Sequence, residues 1–185
     1  MSELLYYPCH NSDYGCKENL RLNEMDDHLT VCSFRIYKCK VSGCSWRGRR
    51  TGIEDHFLNS HREAVIIGPE NWSRWKNLGS TIYLMSAHKE IFYVHTNTVK
   101  NYIYWVVQYI GKSEDTIQYY FQIDIFSDQF QNRKIIICEN CQDDIKDDIT
   151  EIIDSGYAVG IPIAVLETYR NENKEVWYNI SIKKT

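Results

Sequence analysis

Alternation of apolar and polar side chains predicts several β-strands in the second half of the chain. Every second side chain is apolar in residues 118–126, and residues 176–183 show the same period. Residues 102–110 are apolar at most positions, which is typical of a strand buried on both faces. Residues 91–95 and 134–138 predict shorter strands. This half of the chain is therefore predicted to be mainly β.

One helix is predicted among these strands, over residues 142–155. Its apolar stripe has helical spacing and consists of Ile145, Ile149, Ile152 and Ile153. Asp143 and Asp144 would lie in its first turn, where carboxylates favour the helix dipole. Residues 139–154 hold seven acids and one lysine. That composition favours a solvated helix face over an acidic docking surface.

Composition excludes several classes of protein. The 185 residues are 43% hydrophobic with a net charge of -4, which argues against bulk disorder and against general polyanion binding. No apolar run approaches the ~20 residues that a membrane span needs. The N-terminus lacks the features of a signal peptide, so we expect a reducing compartment and free thiols.

The cysteines and histidines predict two metal sites. Five of the seven cysteines and four of the six histidines lie in residues 1–62. They form two quartets with the spacings Cys-x6-Cys-x11-His-x3-Cys and Cys-x4-Cys-x11-His-x4-His. The predicted ligands are Cys9, Cys16, His28 and Cys32 for the first site, and Cys39, Cys44, His56 and His61 for the second.

Zinc suits these quartets because it takes four such ligands tetrahedrally. A histidine and a ligand three or four residues later lie on one face of a helix. Gly15 and Gly43 each precede the second cysteine of a pair and would allow a tight turn. Residues 51–54 match a capping box that would begin the second helix. We expect two structural zinc ions with no open coordination position, with His10 as an alternative first-site ligand.

Nucleic-acid binding is disfavoured. Residues 35–50 hold six basic side chains and no acid, which is the expected footprint of phosphate contact. The first turns of the two finger helices, which would read bases, carry acids instead: Glu24, Asp26, Asp27, Glu54 and Asp55. The basic stretch is therefore better explained as a charged face for a protein partner.

The sequence contains no Gly-x-Ser-x-Gly elbow, phosphate-binding loop or metalloprotease motif. Cys138 and Cys141 have the spacing of a redox or metal pair. Antiparallel strands surround them, and His88 and His95 are the remaining histidines for a third metal. Structural reduced thiols are favoured over a third metal site or a redox pair.

The tandem quartets followed by an all-β segment resemble the seven-in-absentia (SIAH) family. The similarity covers about residues 7–183 and is most specific in the fingers. The finger motifs are Pro8-Cys9, Tyr14-Gly-Cys16, Asp27-His28, Cys32-Ser-Phe-Arg-Ile-Tyr-Lys-Cys39, Gly43-Cys44-Ser-Trp46-Arg-Gly48 and His56-Phe-Leu-Asn-Ser-His61. Weaker matches are Asn77-Leu78-Gly79 and Asn179-Ile-Ser-Ile182.

The resemblance implies an α+β, mainly β fold: two small zinc fingers, then an antiparallel TRAF-like β-sandwich with one or two helices. It implies tandem fingers over 1–62, a connector packing on the sandwich over 63–80, and a sandwich over 81–185 that binds partners and dimerises. The resemblance also implies E3 ubiquitin ligation in the cytoplasm and nucleus. In the family, a RING domain precedes the zinc fingers and the sandwich.

The chain departs from the family in two places. A RING needs eight ligands, and eight residues precede Cys9, so we expect either a RING-less protein or part of a longer one. The family's degron groove includes an Asp-Trp pair that residues 79–86 lack. Strand addition of a peptide is sequence-tolerant, and the candidates for lining such a groove are Tyr83, Leu84 and Met85.

The functional hypothesis is a RING-less partner-recognition protein of the ubiquitin–proteasome pathway that binds protein partners or degron-like peptides. It would act as a homodimer or mixed dimer with a RING-bearing relative, as adaptor or competitor, without membrane association. The alternatives are the substrate-binding portion of an intact RING ligase and, third, a nucleic-acid-binding zinc protein.

Overall fold

The computed structural model describes residues 5–75, 79–127, 132–146 and 148–185. Asn77 and Leu78, which belong to the weaker family match, lie outside the described residues. In the described ranges no helix is long and apolar enough to cross a membrane.

Each predicted finger is a two-stranded hairpin followed by a helix. The hairpins are antiparallel and two residues long on each strand. Finger 1 contains β1 (Tyr7–Pro8), β2 (Asn19–Leu20) and α1 (Leu22–Val31); finger 2 contains β3 (Tyr37–Lys38), β4 (Arg47–Gly48) and α2 (Ile53–Ser60).

A six-stranded sheet forms the layer next to the fingers. Its order is β12 (Gln142–Asp143), β9 (Tyr102–Tyr109), β8 (Glu90–Val99), β7 (Thr81–Ala87) and β5 (Val65–Ile67), with β13 (Gly160–Pro162) also paired to β9. The long central pairings are antiparallel, whereas β5 joins β7 and β12 joins β9 in parallel. The strand predicted over 102–110 is thus internal, as its apolar pattern requires.

A four-stranded antiparallel sheet forms the second layer. Its order is β11 (Lys134–Asn140), β10 (Tyr119–Phe126), β14 (Val176–Lys184) and β6 (Glu70–Trp75). The two strands with the clearest alternation, β10 and β14, are neighbours through eight residue pairs. Strands β5 and β6 lie in the segment treated above as a connector, and they form one edge of each sheet.

The main core lies between the two sheets. The apolar members of the predicted alternation face it from β10 and β14: Tyr119, Phe121, Ile123, Ile125, Val176, Tyr178, Ile180 and Ile182. Phe92 of β8 and Val107 of β9 are fully buried in the same cluster. The expected architecture, a finger segment followed by a mainly β sandwich with few helices, is confirmed.

The helix predicted over 142–155 is wrong in its first half. Residues Gln142–Asp143 form β12, and the Gln108 amide donates hydrogen bonds of 2.9 Å to the carbonyls of Asp143 and Lys146. The helix α3 spans Ile149–Asp154 and is capped by Asp148, whose side chain accepts from the Thr150 N–H. A second helix, α4 (Ile163–Glu167), follows β13. Pairing with a neighbouring strand outweighs the local helical spacing here.

Candidate functional site

The first predicted quartet comes together in finger 1. The ligand atoms of Cys9, Cys16, His28 and Cys32 all lie within 4.8 Å of one another. The Cys9 and Cys32 sulfurs are 4.0 Å apart, and His28 Nε2 lies 3.2 Å and 3.4 Å from the sulfurs of Cys9 and Cys16. Ligands around one tetrahedral zinc are separated by ~3.3–3.8 Å, given bonds of about 2.0–2.3 Å. His10 is exposed and outside this cluster.

The second quartet is equally compact in finger 2. Its four ligand atoms also lie within 4.8 Å of one another. The separation is 3.5 Å between the Cys39 sulfur and His61 Nε2, and 3.5 Å between the Cys44 sulfur and His56 Nε2. Both clusters have the donor types and spacing of closed structural zinc sites. The expectation of two zinc ions is confirmed by these clusters and by the family match given below.

The protonation chemistry of the ligands fits a zinc-dependent fold. Burial raises the pKa of the Cys16 and Cys39 thiols to about 11 each, so zinc must displace their protons on binding. Burial and the neighbouring His61 lower the pKa of His56, which favours the neutral imidazole that a metal requires. Metal binding is therefore coupled to proton release and to folding in both fingers.

Local backbone geometry presents the cysteine pairs. Gly15 and Gly43 have φ values of 113° and 80°, which a residue with a side chain rarely adopts, so the predicted glycine turns are present. The predicted capping box at residues 51–54 is wrong, because a 3₁₀ turn at Arg50–Gly52 leads into α2 and Gly52 is its N-cap. A Glu carboxylate caps α1 instead: Glu24 accepts a 3.0 Å hydrogen bond from the Arg21 N–H.

Finger 2 shares a hydrophobic core with the six-stranded sheet. Ile53 and Phe57 of α2 are fully buried against Leu84 of β7 and Tyr93 of β8. The Trp46 indole stacks on the ligand His56, with centroids 4.5 Å apart and planes 4° apart. The second metal site is therefore built into the face of the sandwich.

Finger 1 has a much smaller core, made of its own cysteines with Leu29 and Phe34 packed against them. Arg49 of the second finger segment holds it in place. The Arg49 guanidinium donates to Asn11 Oδ1 at 2.8 Å and to the Phe34 carbonyl, and it lies 3.6 Å from the centroid of the Tyr14 ring. Polar contacts rather than a shared core thus position the first metal site.

Three further basic residues of the 35–50 stretch bind the sandwich. Arg35 forms a 2.7 Å ion pair with Asp144, and their side chains are 13% and 3% exposed. Burial raises the pKa of the Asp144 carboxyl, which the Arg35 guanidinium partly offsets. Arg50 pairs with Glu90 and donates to the Ile110 carbonyl. The Lys40 ammonium donates to Gln108 Oε1 at 2.9 Å.

These contacts change the interpretation of both charged segments. Asp144 belongs to the acidic run 139–154 that was assigned above to a solvated helix face, yet it is buried against the basic run. Arg35, Lys40, Arg49 and Arg50 connect finger segments to the rest of the fold rather than presenting a free charged face. Opposite charge in the two runs is a sequence signal that could have indicated their pairing.

The three groove candidates have different surroundings. Leu84 and Met85 are fully buried, in the finger 2 cluster and the sandwich core respectively, so they cannot line an open groove in this conformation. Tyr83 is half-buried and lines a cavity of about 480 Å³, here called the β7 groove. The groove lies where finger 2, β7, β8 and α3 meet, and its other lining residues include Lys40, Glu63, Ile82, His95 and Ile149.

Cys138 and Cys141 do not form a joint site. Cys138 is exposed on β11, whereas Cys141 is buried in the sandwich core. Burial raises the pKa of the Cys141 thiol, so this thiol is protonated at neutral pH. Among the described residues neither belongs to a group that could hold a metal ion. The burial of Cys141 fits the interpretation of this residue as a structural thiol.

Comparison with known proteins identifies the family. The Sina zinc-finger family matches residues 1–73, and the Sina TRAF-like domain family matches residues 85–181. The chain belongs to the Sina, or seven-in-absentia, family.

Among curated relatives, the chain is 20% identical to the E3 ubiquitin-protein ligase siah-1 of Caenorhabditis briggsae over 195 residues. That alignment covers 96% of this chain and 44% of the relative. The chain is 31% identical to the E3 ubiquitin-protein ligase sina of Drosophila melanogaster over 67 residues, which are 35% of this chain and 21% of the relative. The chain therefore spans less than half the length of these relatives.

Proposed function

We propose that this chain recognises protein partners for ubiquitin ligation, with the β7 groove as the site where a peptide segment binds. The observation that carries this proposal is a TRAF-like sandwich with an open groove beside a zinc-organised finger, in a chain related to E3 ubiquitin-protein ligases. The chain spans less than half the length of these relatives, so the proposal concerns recognition rather than ligation itself.

An incompletely paired strand beside the groove supports peptide binding. Strand β7 pairs with β8 along its whole length, from Thr81 to Ala87. Among the described residues its other side pairs with β5 only from Leu84 to Ser86. Residues 81–83 therefore offer backbone groups to an added strand, which is a sequence-tolerant way to bind a peptide.

We further propose that the chain dimerises, with itself or with a RING-bearing relative, and acts as adaptor or competitor in the cytoplasm and nucleus. The β6 edge of the outer face of the four-stranded sheet supports a protein contact, because Trp72 is 55% exposed there. Trp72 also contacts Phe126, with ring centroids 5.1 Å apart. Exposed apolar patches of this kind mark interaction surfaces.

Nucleic-acid binding gains no support from the basic stretch. Its side chains Arg35, Lys40, Arg49 and Arg50 each make contacts within the protein, as described above. A stretch engaged in this way has fewer charges to neutralise phosphates.

The test is a reconstituted ubiquitination reaction that contains a RING-bearing Sina relative and a client that the relative ubiquitinates. We expect the zinc-loaded chain to co-purify with the relative or the client. An adaptor increases client ubiquitination, and a competitor decreases it in proportion to the chain added. Thr81→Trp should abolish client binding while zinc content stays at two. Absence of binding to both proteins would contradict the proposal.

A further inference from the structure

A cavity of about 580 Å³, here called the finger 1 cavity, lies between finger 1 and the sandwich. Three of the four finger 1 ligands line it, namely Cys16, His28 and Cys32. Residues 112–114, where a 3₁₀ turn begins, line it from the sandwich side. Cys16 is 7% exposed, which is the largest exposed fraction among the three finger 1 cysteines. A small solute that enters this cavity therefore contacts the first metal site.

The ligand set of finger 1 is rich in sulfur. Cys9, Cys16 and Cys32 supply three thiolates, whereas finger 2 has two cysteines and two histidines. Zinc holds its cysteine ligands as thiolates, which is the form that attacks electrophiles. The Cys9 and Cys32 sulfurs are 4.0 Å apart, and all finger 1 ligand atoms lie within 4.8 Å of one another. An oxidised sulfur in this trio therefore has two further thiolates within reach for disulfide formation.

The opening of finger 1 disturbs little of the remaining fold. Its apolar cluster consists of the three cysteines with Leu29 and Phe34 packed against them. In finger 2, Cys39 belongs to the cluster that Phe57 shares with the six-stranded sheet. Cys44 is half-buried, so burial alone does not protect the second site. A disulfide there must form against the packing of the shared core, whereas regions with few buried apolar contacts open at low free energy.

We propose that the three thiolates of finger 1 form an oxidative modification site for hydrogen peroxide, at which disulfide formation releases one zinc ion and opens finger 1 alone. The Cys16 thiolate attacks one peroxide oxygen, the O–O bond breaks, and Cys16 becomes a sulfenic acid as hydroxide leaves. The thiolate of Cys9 or Cys32 then attacks the Cys16 sulfur and displaces a second hydroxide, which forms the S–S bond. The two sulfurs lose two electrons, and the peroxide gains them.

Zinc leaves after this step because one thiolate and one imidazole remain as ligands, and the last thiolate takes a proton from water. The disulfide is transient in a reducing compartment, because cellular thiols reduce it and zinc then binds again. The inference is independent of the β7 groove. It concerns control of finger 1, the part of the chain with the smallest core.

The test treats the full zinc-loaded chain with hydrogen peroxide and follows zinc release with a chromogenic zinc indicator. We expect one zinc ion per chain to leave roughly tenfold faster than the second, because finger 1 opens locally. Alkylation of the remaining thiols and peptide mass spectrometry should locate a disulfide that joins Cys16 to Cys9 or Cys32. Hydrogen exchange should increase in residues 9–34 and stay unchanged in β7 and β8. Dithiothreitol with added zinc should restore both bound ions.

Two variants test the assignment of the attacked thiolate. Cys16→His keeps four ligands in finger 1, and with two bound zinc ions confirmed it should release the first ion several-fold more slowly. Cys138→Ser is the matched control, because Cys138 is the exposed thiol outside both sites. It should leave zinc release unchanged, and slower release would assign the reaction to Cys138 and overturn the inference.

A further measurement on the unaltered chain needs no variant. Dimedone traps sulfenic acids, so it should label Cys16 before Cys9 and Cys32. Equal release rates for the two zinc ions, or a first disulfide between Cys39 and Cys44, would overturn the inference. An unchanged release rate in zinc-loaded Cys16→His would do the same.

Discussion

Each finger has four Cys and His ligands, three cysteines and one histidine in finger 1 and two of each in finger 2, but the fingers differ in what their folding supports. Finger 2 inserts Ile53 and Phe57 into a core shared with the six-stranded sheet. Finger 1 packs on its own ligands with Leu29 and Phe34, and Arg49 supplies its polar link to finger 2. Zinc thus stabilises a local module in finger 1, but a surface of the whole sandwich in finger 2. Two structural zinc sites in one chain can therefore differ in how much of the fold depends on them.

Removal of a zinc ligand should give the largest contrast between the fingers. His56→Ala is expected to lose one zinc ion and to expose the shared core, since a structural site contributes on the order of 10 kcal/mol to local folding. His28→Ala is expected to lose one zinc ion and to unfold finger 1 alone. Native mass spectrometry gives the number of bound zinc ions. Hydrogen exchange of β7 and β8 measures how far the unfolding extends into the sandwich. Equal loss of protection in these strands for both variants would contradict the comparison.

Truncation of one apolar side chain in each finger sharpens the contrast without touching a ligand. Phe57→Ala should lower the free energy of unfolding of the chain by about 3–5 kcal/mol, because Phe57 is fully buried in the shared core. Leu29→Ala should cost about 1 kcal/mol, because Leu29 is half-buried in the small cluster. Urea denaturation of both variants measures the difference, and a larger cost for Leu29→Ala would disprove this assignment.

Acid should destabilise the junction of finger 2 and sandwich through His95. Its pKa is lowered to about 3 by burial, whereas an unfolded histidine titrates near 6.5. Between these values the unfolded state binds more protons, so stability falls as the pH decreases. At pH 5 the loss from this residue is about 2 kcal/mol.

The control for this pH effect is His95→Phe, which retains all zinc ligands. Urea denaturation of both proteins at pH 7 and pH 5 isolates the contribution of His95 to the pH dependence of stability, because acid-driven zinc loss affects both proteins equally. The variant should lose about 2 kcal/mol less than the unaltered chain over this interval. Parallel losses in the two proteins would show that His95 does not titrate in this way.

The smallest expected effect concerns the link between the fingers. Arg49→Ala should cost about 1–2 kcal/mol and increase hydrogen exchange in residues 9–34, because it removes contacts to Asn11, the Phe34 carbonyl and Tyr14. Residues 37–60 should keep their protection. Arg47→Ala is the matched control, because Arg47 lies in the same basic stretch and is exposed. Similar hydrogen exchange in the two variants would show that Arg49 does not hold finger 1 in place.

Sequence reasoning succeeded where the signal is local. The period of two in β10 and β14 reflects one buried face per strand, and both strands lie as predicted. It failed over 142–146, where helical spacing and acidic residues favoured a helix. There the backbone pairs with β9 and Gln108, and Asp144 pairs with Arg35. These partners are distant in sequence, so the spacing within residues 142–146 could not indicate them; the opposite charge of the two runs was the one signal for the pairing of Arg35 with Asp144.

The sequence by itself determined the ligand quartets, the glycine turns that present them and the alternation of the main strands, because each depends on residues close together in the chain. The tertiary structure decided which finger joins the sandwich and where the charged segments go. Lys40 meets Gln108 and Arg35 meets Asp144 across long stretches of chain. It also buried Leu84 and Met85 while leaving Tyr83 and His95 at the groove. Burial and pairing of this kind depend on packing between elements, which spacing along the chain does not encode.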